Sequence, residues 1–343
     1  METNKQGTLI NIEYLRTFAV ISLVIWHCFF CPELWWGLPG GPFLSEKSHS
    51  LLSSISNILT PQANMPLFTF ISGFVFAYVY KTGRYDVSGG GYLLKKGKRL
   101  LAPFFILGTV ICLTSYSDDS AKMGFKWMVY GCGSHLWYCI MLFWVNIVAW
   151  FLLKNKMKVL NVIVFLLSLA SPIWFDFLGI SVLPWGWHKS IQYYSHFIIG
   201  VWIFEYICSH RINYRHTLLY FAIAYFAIFL LIKISNTMYL HVFLYTLKSI
   251  CFYCLLFSLI NVLIEWRLIK ENSIVHNIAQ YSFGIYVIHH WIGWNLYHTD
   301  ISIKFMENYY IPFAFFNTVW IFIASYYITK FSLRSKIGQV LLT

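Results

Sequence analysis

Hydrophobic positions along this chain fall in long unbroken runs rather than in alternation, and the runs are of membrane-spanning length. About 20 apolar residues cross a bilayer as a helix, and runs of that order occupy 9–30, 63–80, 100–116, 136–153, 159–175, 193–208, 217–234, 242–264, 277–298 and 309–329. The pattern predicts an all-α integral membrane protein, a bundle of about ten transmembrane helices. No interval is long enough for a soluble domain. The largest, 31–62, is rich in Trp, Gly and Pro and too short to bury a core of its own, so 1–343 reads as a single transmembrane domain. Within that interval LLSSISNILTP (Leu51–Pro61) is a candidate interfacial or re-entrant helix.

Composition agrees. The 343 residues are 59% hydrophobic and 11% charged, with a mean hydropathy of +0.62, against roughly 25% charged in a soluble domain. The formal net charge of +12 would suggest nucleic acid in a soluble protein. Here the cations sit in short loops, which excludes that reading and sets orientation instead. With the N-terminus inside, 17 Lys and Arg fall in cytoplasmic segments, 6 in outer ones, and Arg16 and Lys248 within spans. Both termini are therefore expected in the cytoplasm, with the lipid bilayer as the principal surrounding. METNKQGTLINIEYLR lacks a basic region followed by a short apolar stretch and a small-residue cleavage site, so the first helix is expected to remain as an anchor. The Cys28/Cys31 and Cys251/Cys254 pairs have helix-face spacing but no ligands to complete a zinc pattern, and no metal site is expected.

Ionisable groups inside a span cost about 2.5 kcal/mol or more near the bilayer centre, so they normally face a protein interior or a watery cavity. In EYLRTFAVISLVIWH, Arg16 and His27 are eleven positions apart, which puts them on one helical face with a rise of roughly 16 Å between them. Glu13, three positions before Arg16, is placed to form an intrahelical ion pair with it. Ser282, Tyr286 and His289 form one stripe of the ninth span, which should face the bundle. Ser72 with Gly73 marks either close helix approach or a hydroxyl at a cavity. His135, Trp137 and Tyr138 stand at the mouth of the fourth span, where aromatic residues anchor at the interface or stack on sugar rings. Lys248 is expected to snorkel, and Glu205 to pair with Arg211 or Arg215.

Taken in order, these segments resemble the acyltransferase-three family of integral membrane acyltransferases. The resemblance rests on Glu13, Leu15, Arg16 and His27; on MPLFTFISGF around Ser72; on LLKKGKRLLAPFF, which resembles the family's basic loop, with Arg99 and Pro103; on HLWY (His135–Tyr138); on FIIG (Phe197–Gly200); and on YSFGIYVIH (Tyr281–His289). It covers roughly residues 10–295. The chain departs from the family at Glu13 (usually Asp), Thr17 (commonly Gly) and Lys96 (usually Arg), the last exchanging a bidentate phosphate binder for a point charge. The resemblance implies an O-acyltransferase moving an acyl group, most often acetyl, from cytoplasmic acyl-CoA to a hydroxyl of a cell-surface or exported glycan. Acyl-CoA is then a substrate, and no permanently bound cofactor is implied. By the same resemblance His27 is the general base or transient acyl carrier, and His289 joins it. Arg16 would orient the catalytic centre or bind the donor, Arg99, Lys95, Lys96 and Lys98 would bind the donor, and Glu13, Ser72, His135, Trp137, Tyr138, Ser282 and Tyr286 would hold the acceptor or support the site. The setting implied is a bacterial cytoplasmic (inner) membrane. A polytopic exporter of a glycan or small molecule is the alternative, which substrate accumulation in proteoliposomes without an acyl donor would favour.

Overall fold

The computed structural model describes residues 3–59, 64–83, 89–115, 124, 126, 128–130, 135–180, 183–235 and 237–342, and every regular element among them is a helix. Arg84 and Lys122, both counted in the charge asymmetry, and Pro61 lie outside the described residues. Six segments are long and apolar enough to cross a membrane: Ile10–Leu34, Gly90–Ser115, Trp137–Lys154, Tyr214–Ile234, Leu240–Glu265 and Asp300–Ser332.

In chain order, α1 (Thr3–Ile25) passes through a π turn (Trp26–Phe30) into the short α2 (Cys31–Leu34). The interval after α2 then forms α3 (Glu46–Leu59), and α4 (Met65–Lys81) follows. Next, α5 (Gly89–Lys96) continues through a second π turn (Gly97–Leu101) into α6 (Ala102–Ser115). The rest of the chain forms α7 (Trp137–Lys154), α8 (Lys158–Leu169), α9 (Ser171–Phe177), α10 (Trp187–Ser209), α11 (Tyr214–Ile234), α12 (Met238–Glu265), α13 (Ser273–Tyr297), α14 (Asp300–Ser332) and α15 (Lys336–Leu342).

Two predicted runs and one expected loop take a different form. The run 159–175 breaks into α8 and α9, bent by 62°, because Pro172 in the first turn of α9 can neither donate a hydrogen bond nor accommodate the preceding turn. The final run begins earlier than expected, at Asp300, and carries a kink at Tyr309 just before Pro312. The basic stretch LLKKGKRLL is not a loop. It is helix and π turn inside the Gly90–Ser115 segment, which brings Lys96 and Arg99 against the bundle.

Packing positions the site. Helix α4 crosses α10 where a Cβ on Gly73 would lie 1.9 Å from the Phe197 carbonyl oxygen and one on Gly200 would lie 2.1 Å from that of Phe70. Only glycine permits this approach. Ser72, next to that contact, is turned toward α7, so the Ser-Gly pair serves both packing and the cavity. Helix α13 packs between α1 and α14. It is tied to α1 by Thr17, which donates to the Val275 carbonyl at 3.1 Å, and α1 meets α12 through Asn11 and Asn261 at 2.5 Å.

Candidate active site

The first part of the site is a cavity of about 140 Å³ between α1, α4, the α5–α6 segment, α7 and α13. Arg16, Lys96 and Arg99 line it, with Ser72, Tyr138, Asn146, Gln280, Ser282 and Tyr286, and no acidic residue is among its lining. Lys96 is buried, 8% exposed, and its Nζ lies 5.7 Å from the Tyr92 ring centre. Arg99 reaches the cavity from the second π turn and remains solvent-exposed. Lys95 and Lys98, expected to bind alongside them, are exposed and outside the lining, because helical geometry sends only Lys96 of the three lysines inward.

The ion pair expected between Glu13 and Arg16 is not formed. The Glu13 carboxylate takes His276 of α13 instead, at 2.8 Å. Arg16 is left half-buried with no ion pair to any described residue, facing the cavity. Two further expectations are corrected. Lys248 does not snorkel but is buried, its Nζ 5.5–5.6 Å from the rings of Tyr225, Phe229 and Tyr245. Glu205 forms no ion pair with Arg211 or Arg215, and Arg215 lies over the Trp266 ring at 5.5 Å.

The second part is a cluster of four imidazoles: His27 from the first π turn, His135 before α7, and His289 and His290 from α13. His27 Nδ1 lies 3.1 Å from His289 Nε2 and 3.1 Å from the Leu23 carbonyl, while His289 Nδ1 lies 2.8 Å from the Ile285 carbonyl. One pair of tautomers satisfies all three contacts. His289 donates from Nδ1 and accepts at Nε2, and His27 donates from Nδ1, so the lone pair of His27 is at Nε2. His135 donates from Nε2 to the Val287 carbonyl at 2.9 Å, and the Tyr286 hydroxyl donates to the His135 carbonyl. The His27 ring centre is 5.0 Å from that of His289 and 4.9 Å from that of His290. Among the described residues, no group of three or more His, Cys, Asp or Glu side chains is arranged to hold a metal ion.

The predicted stripe on α13 connects the two parts. Ser282 and Tyr286 line the cavity and His289, one turn further, meets His27. Tyr286 stands between them: its ring centre is 5.7 Å from Tyr138 on the cavity side, and 5.5 Å from His135 and 6.4 Å from His289 on the other. Tyr138 also reaches Ser72, with 3.3 Å between hydroxyls. Trp137 does not line the cavity and packs against Tyr193, with Lys189 near its face. His27, His135 and His289 lie beyond the cavity lining.

A family model described as an acyltransferase domain, that of the acyltransferase-three family, matches residues 9–331. The chain belongs to this family. It is a multi-pass membrane acyltransferase, in keeping with its apolar helices. Searches of curated proteins and of solved structures find no match.

Four residues of the candidate site escape the sequence reading. Asn146, a lone amide in the apolar run of α7, lines the cavity beside Tyr92. Gln280 precedes the YSFGIYVIH segment by one position. His290 is signalled only by its neighbour His289, and Trp36, from the interval after α2, packs against His290, Trp294 and Tyr297.

Proposed function

We propose that the protein is an O-acyltransferase that takes an acyl group, acetyl in the first instance, from a CoA thioester and transfers it to a hydroxyl of a cell-surface or exported glycan. The observation that carries this reading is the succession along α13 of a cation-lined cavity without acidic residues and a paired His27–His289, with Tyr286 between. Guanidinium groups match phosphate bidentately, and Arg16 and Arg99, with Lys96, suit the phosphates of CoA. A volume of about 140 Å³ takes part of that molecule, and exposed Arg99 marks the direction in which the nucleotide extends.

In the direct form of the reaction, His27 Nε2 takes the proton of the acceptor hydroxyl as its oxygen bonds to the thioester carbon. The carbonyl electrons move to oxygen, then return as the C–S bond breaks, and the proton passes to the CoA sulfur. His289 keeps His27 in the basic tautomer, a task that carboxylates perform in many other hydrolases and transferases. The alternative form has His27 Nε2 carry the acyl group transiently. Lys95 and Lys98 serve orientation or approach of the anionic donor.

The same reading places 1–343 in one domain of ten spans, counting the shorter, bent and more polar helices α4, α8–α9, α10 and α13. Both termini are cytoplasmic, as the loop charges favour, in a bacterial inner membrane. The test is transfer of labelled acetyl from acetyl-CoA to envelope glycan by wild type and His27→Ala. Loss of incorporation in the variant is expected, and equal incorporation would refute the assignment.

A further inference from the structure

His27 and His289 are held by backbone carbonyls and by each other, and His135 by the Val287 carbonyl. His290 differs. Its Nδ1 is buried and has no hydrogen-bond partner. An unmade hydrogen bond at a buried polar atom is destabilising, so such an atom in a native structure calls for a partner supplied from elsewhere. The ring is held in place without that bond. It stacks on His135 (centres 4.3 Å apart, 24° between planes), runs nearly parallel to Trp294 (6.1 Å, 14°) and stands edge-on to His27 (4.9 Å, 83°).

The surroundings of His290 indicate the direction from which the partner comes. Tyr286 closes the donor cavity on one side of the imidazole cluster. On the other, His290 meets Trp36, and Trp36 meets Trp294 at 5.5 Å and His298 at 6.1 Å. Trp36 belongs to the interval after α2, which Glu33 fastens down. That buried carboxylate accepts from the backbone N–H of Phe43 at 2.8 Å and of Leu44 at 3.3 Å, and from His49 at 2.8 Å. Aromatic faces beside an unmatched imidazole nitrogen fit a ligand that is apolar on one face and hydroxylated at its edge, which describes a pyranose ring.

We propose that His290, with Trp36 and Trp294, forms the acceptor subsite: His290 Nδ1 hydrogen-bonds a hydroxyl of a pyranose ring that packs against the tryptophans, presenting a hydroxyl to His27. This rests on the acyltransferase reading above and extends it.

The test measures initial rates of labelled acetyl transfer from acetyl-CoA to methyl glycosides of glucose, galactose, mannose, rhamnose and N-acetylglucosamine. The enzymes are purified full-length wild type, His290→Phe, His290→Gln and Trp36→Ala. His290→Phe keeps a ring between His135 and Trp294 while removing the nitrogen, and His290→Gln restores a polar group. The expected result is an acceptor KM raised about tenfold or more in His290→Phe and Trp36→Ala, partial rescue in His290→Gln, and a donor KM within about twofold of wild type. An unchanged acceptor KM in His290→Phe overturns the proposal, as does an equal rise in both KM values. Transfer by wild type to none of these glycosides overturns the pyranose assignment. His27→Ala in the same assay separates the two levels: if it retains wild-type transfer, the acyltransferase reading itself fails.

Discussion

The cavity and the imidazole cluster are neighbours built on opposite electrostatic plans. The cavity collects three cations and no acid from elements far apart in sequence, Arg16 on α1 and Lys96 and Arg99 around the second π turn. The cluster gathers four imidazoles, and its central pair, His27 and His289, is oriented by the carbonyls of Leu23 and Ile285. Cations gathered around a cavity favour an anionic ligand there, whereas a base must be neutral when it acts. On the proposed reading, one region holds the donor and the other transfers the proton. Both contain a π turn, Gly97–Leu101 at the cavity and Trp26–Phe30 at the cluster, and each carries one of the candidate residues, Arg99 or His27.

If that division is correct, substitutions in the two regions should separate binding from turnover. His27→Ala should lower the transfer rate by about 10²–10⁴-fold, the usual worth of a general base, while the Kd for CoA measured by calorimetry stays near wild type. Arg16→Ala should do the converse, weakening CoA binding by roughly 10–100-fold, the worth of a charge-assisted hydrogen bond to phosphate, with a smaller effect on rate at saturating donor. Lys95→Ala and Lys98→Ala, exposed and outside the lining, should change the same Kd by less than about threefold. If His27→Ala abolished CoA binding, or Arg16→Ala left it intact, the comparison would break.

How far each region was legible in the sequence follows from the same physics. A cation inside an apolar run is conspicuous because the bilayer penalises it, so Arg16 could be read directly, and the 3.6-residue period exposed the Ser282–Tyr286–His289 stripe. The π turns could not be read, since one added residue in a turn leaves no mark on an apolar pattern, and LLKKGKRLL consequently passed for a loop. Long-range partners were equally hidden. Glu13 meets His276 across 263 positions, a contact that local spacing cannot show, and the nearer Arg16 was the natural guess. His290 is rotated about 100° from His289 on an ideal helix, which assigns the two to different faces; only the convergence of α1, α7 and α13 brings both against His27.

Within the cluster, the claim that His289 sets the tautomer of His27 can be tested on its own. His289→Ala removes the acceptor for His27 Nδ1–H but leaves the Leu23 carbonyl, so the loss should be partial, about tenfold in kcat with the donor Kd unchanged. His289→Gln, whose amide can both accept from His27 and donate to a carbonyl, should recover part of it. No recovery would make His289 a participant in the chemistry and not the positioning residue of His27.

Tyr286 is where the two regions meet, and its expected effect on kcat is smaller than that of His27 or His289. Its hydroxyl donates to the His135 carbonyl and its ring divides the cavity from the imidazoles. These roles come apart on substitution. Tyr286→Phe keeps the ring and deletes one hydrogen bond worth about 1 kcal/mol, so kcat should fall by about fivefold with the division intact. Tyr286→Ala removes the ring as well. If the ring separates a bound thioester from water admitted on the acceptor side, acetyl-CoA hydrolysis in the absence of any acceptor should rise above wild type in Tyr286→Ala and stay at the wild-type level in Tyr286→Phe. Equal hydrolysis in all three would mean that the cavity and the cluster already communicate, and that the donor reaches His27 without Tyr286 moving aside.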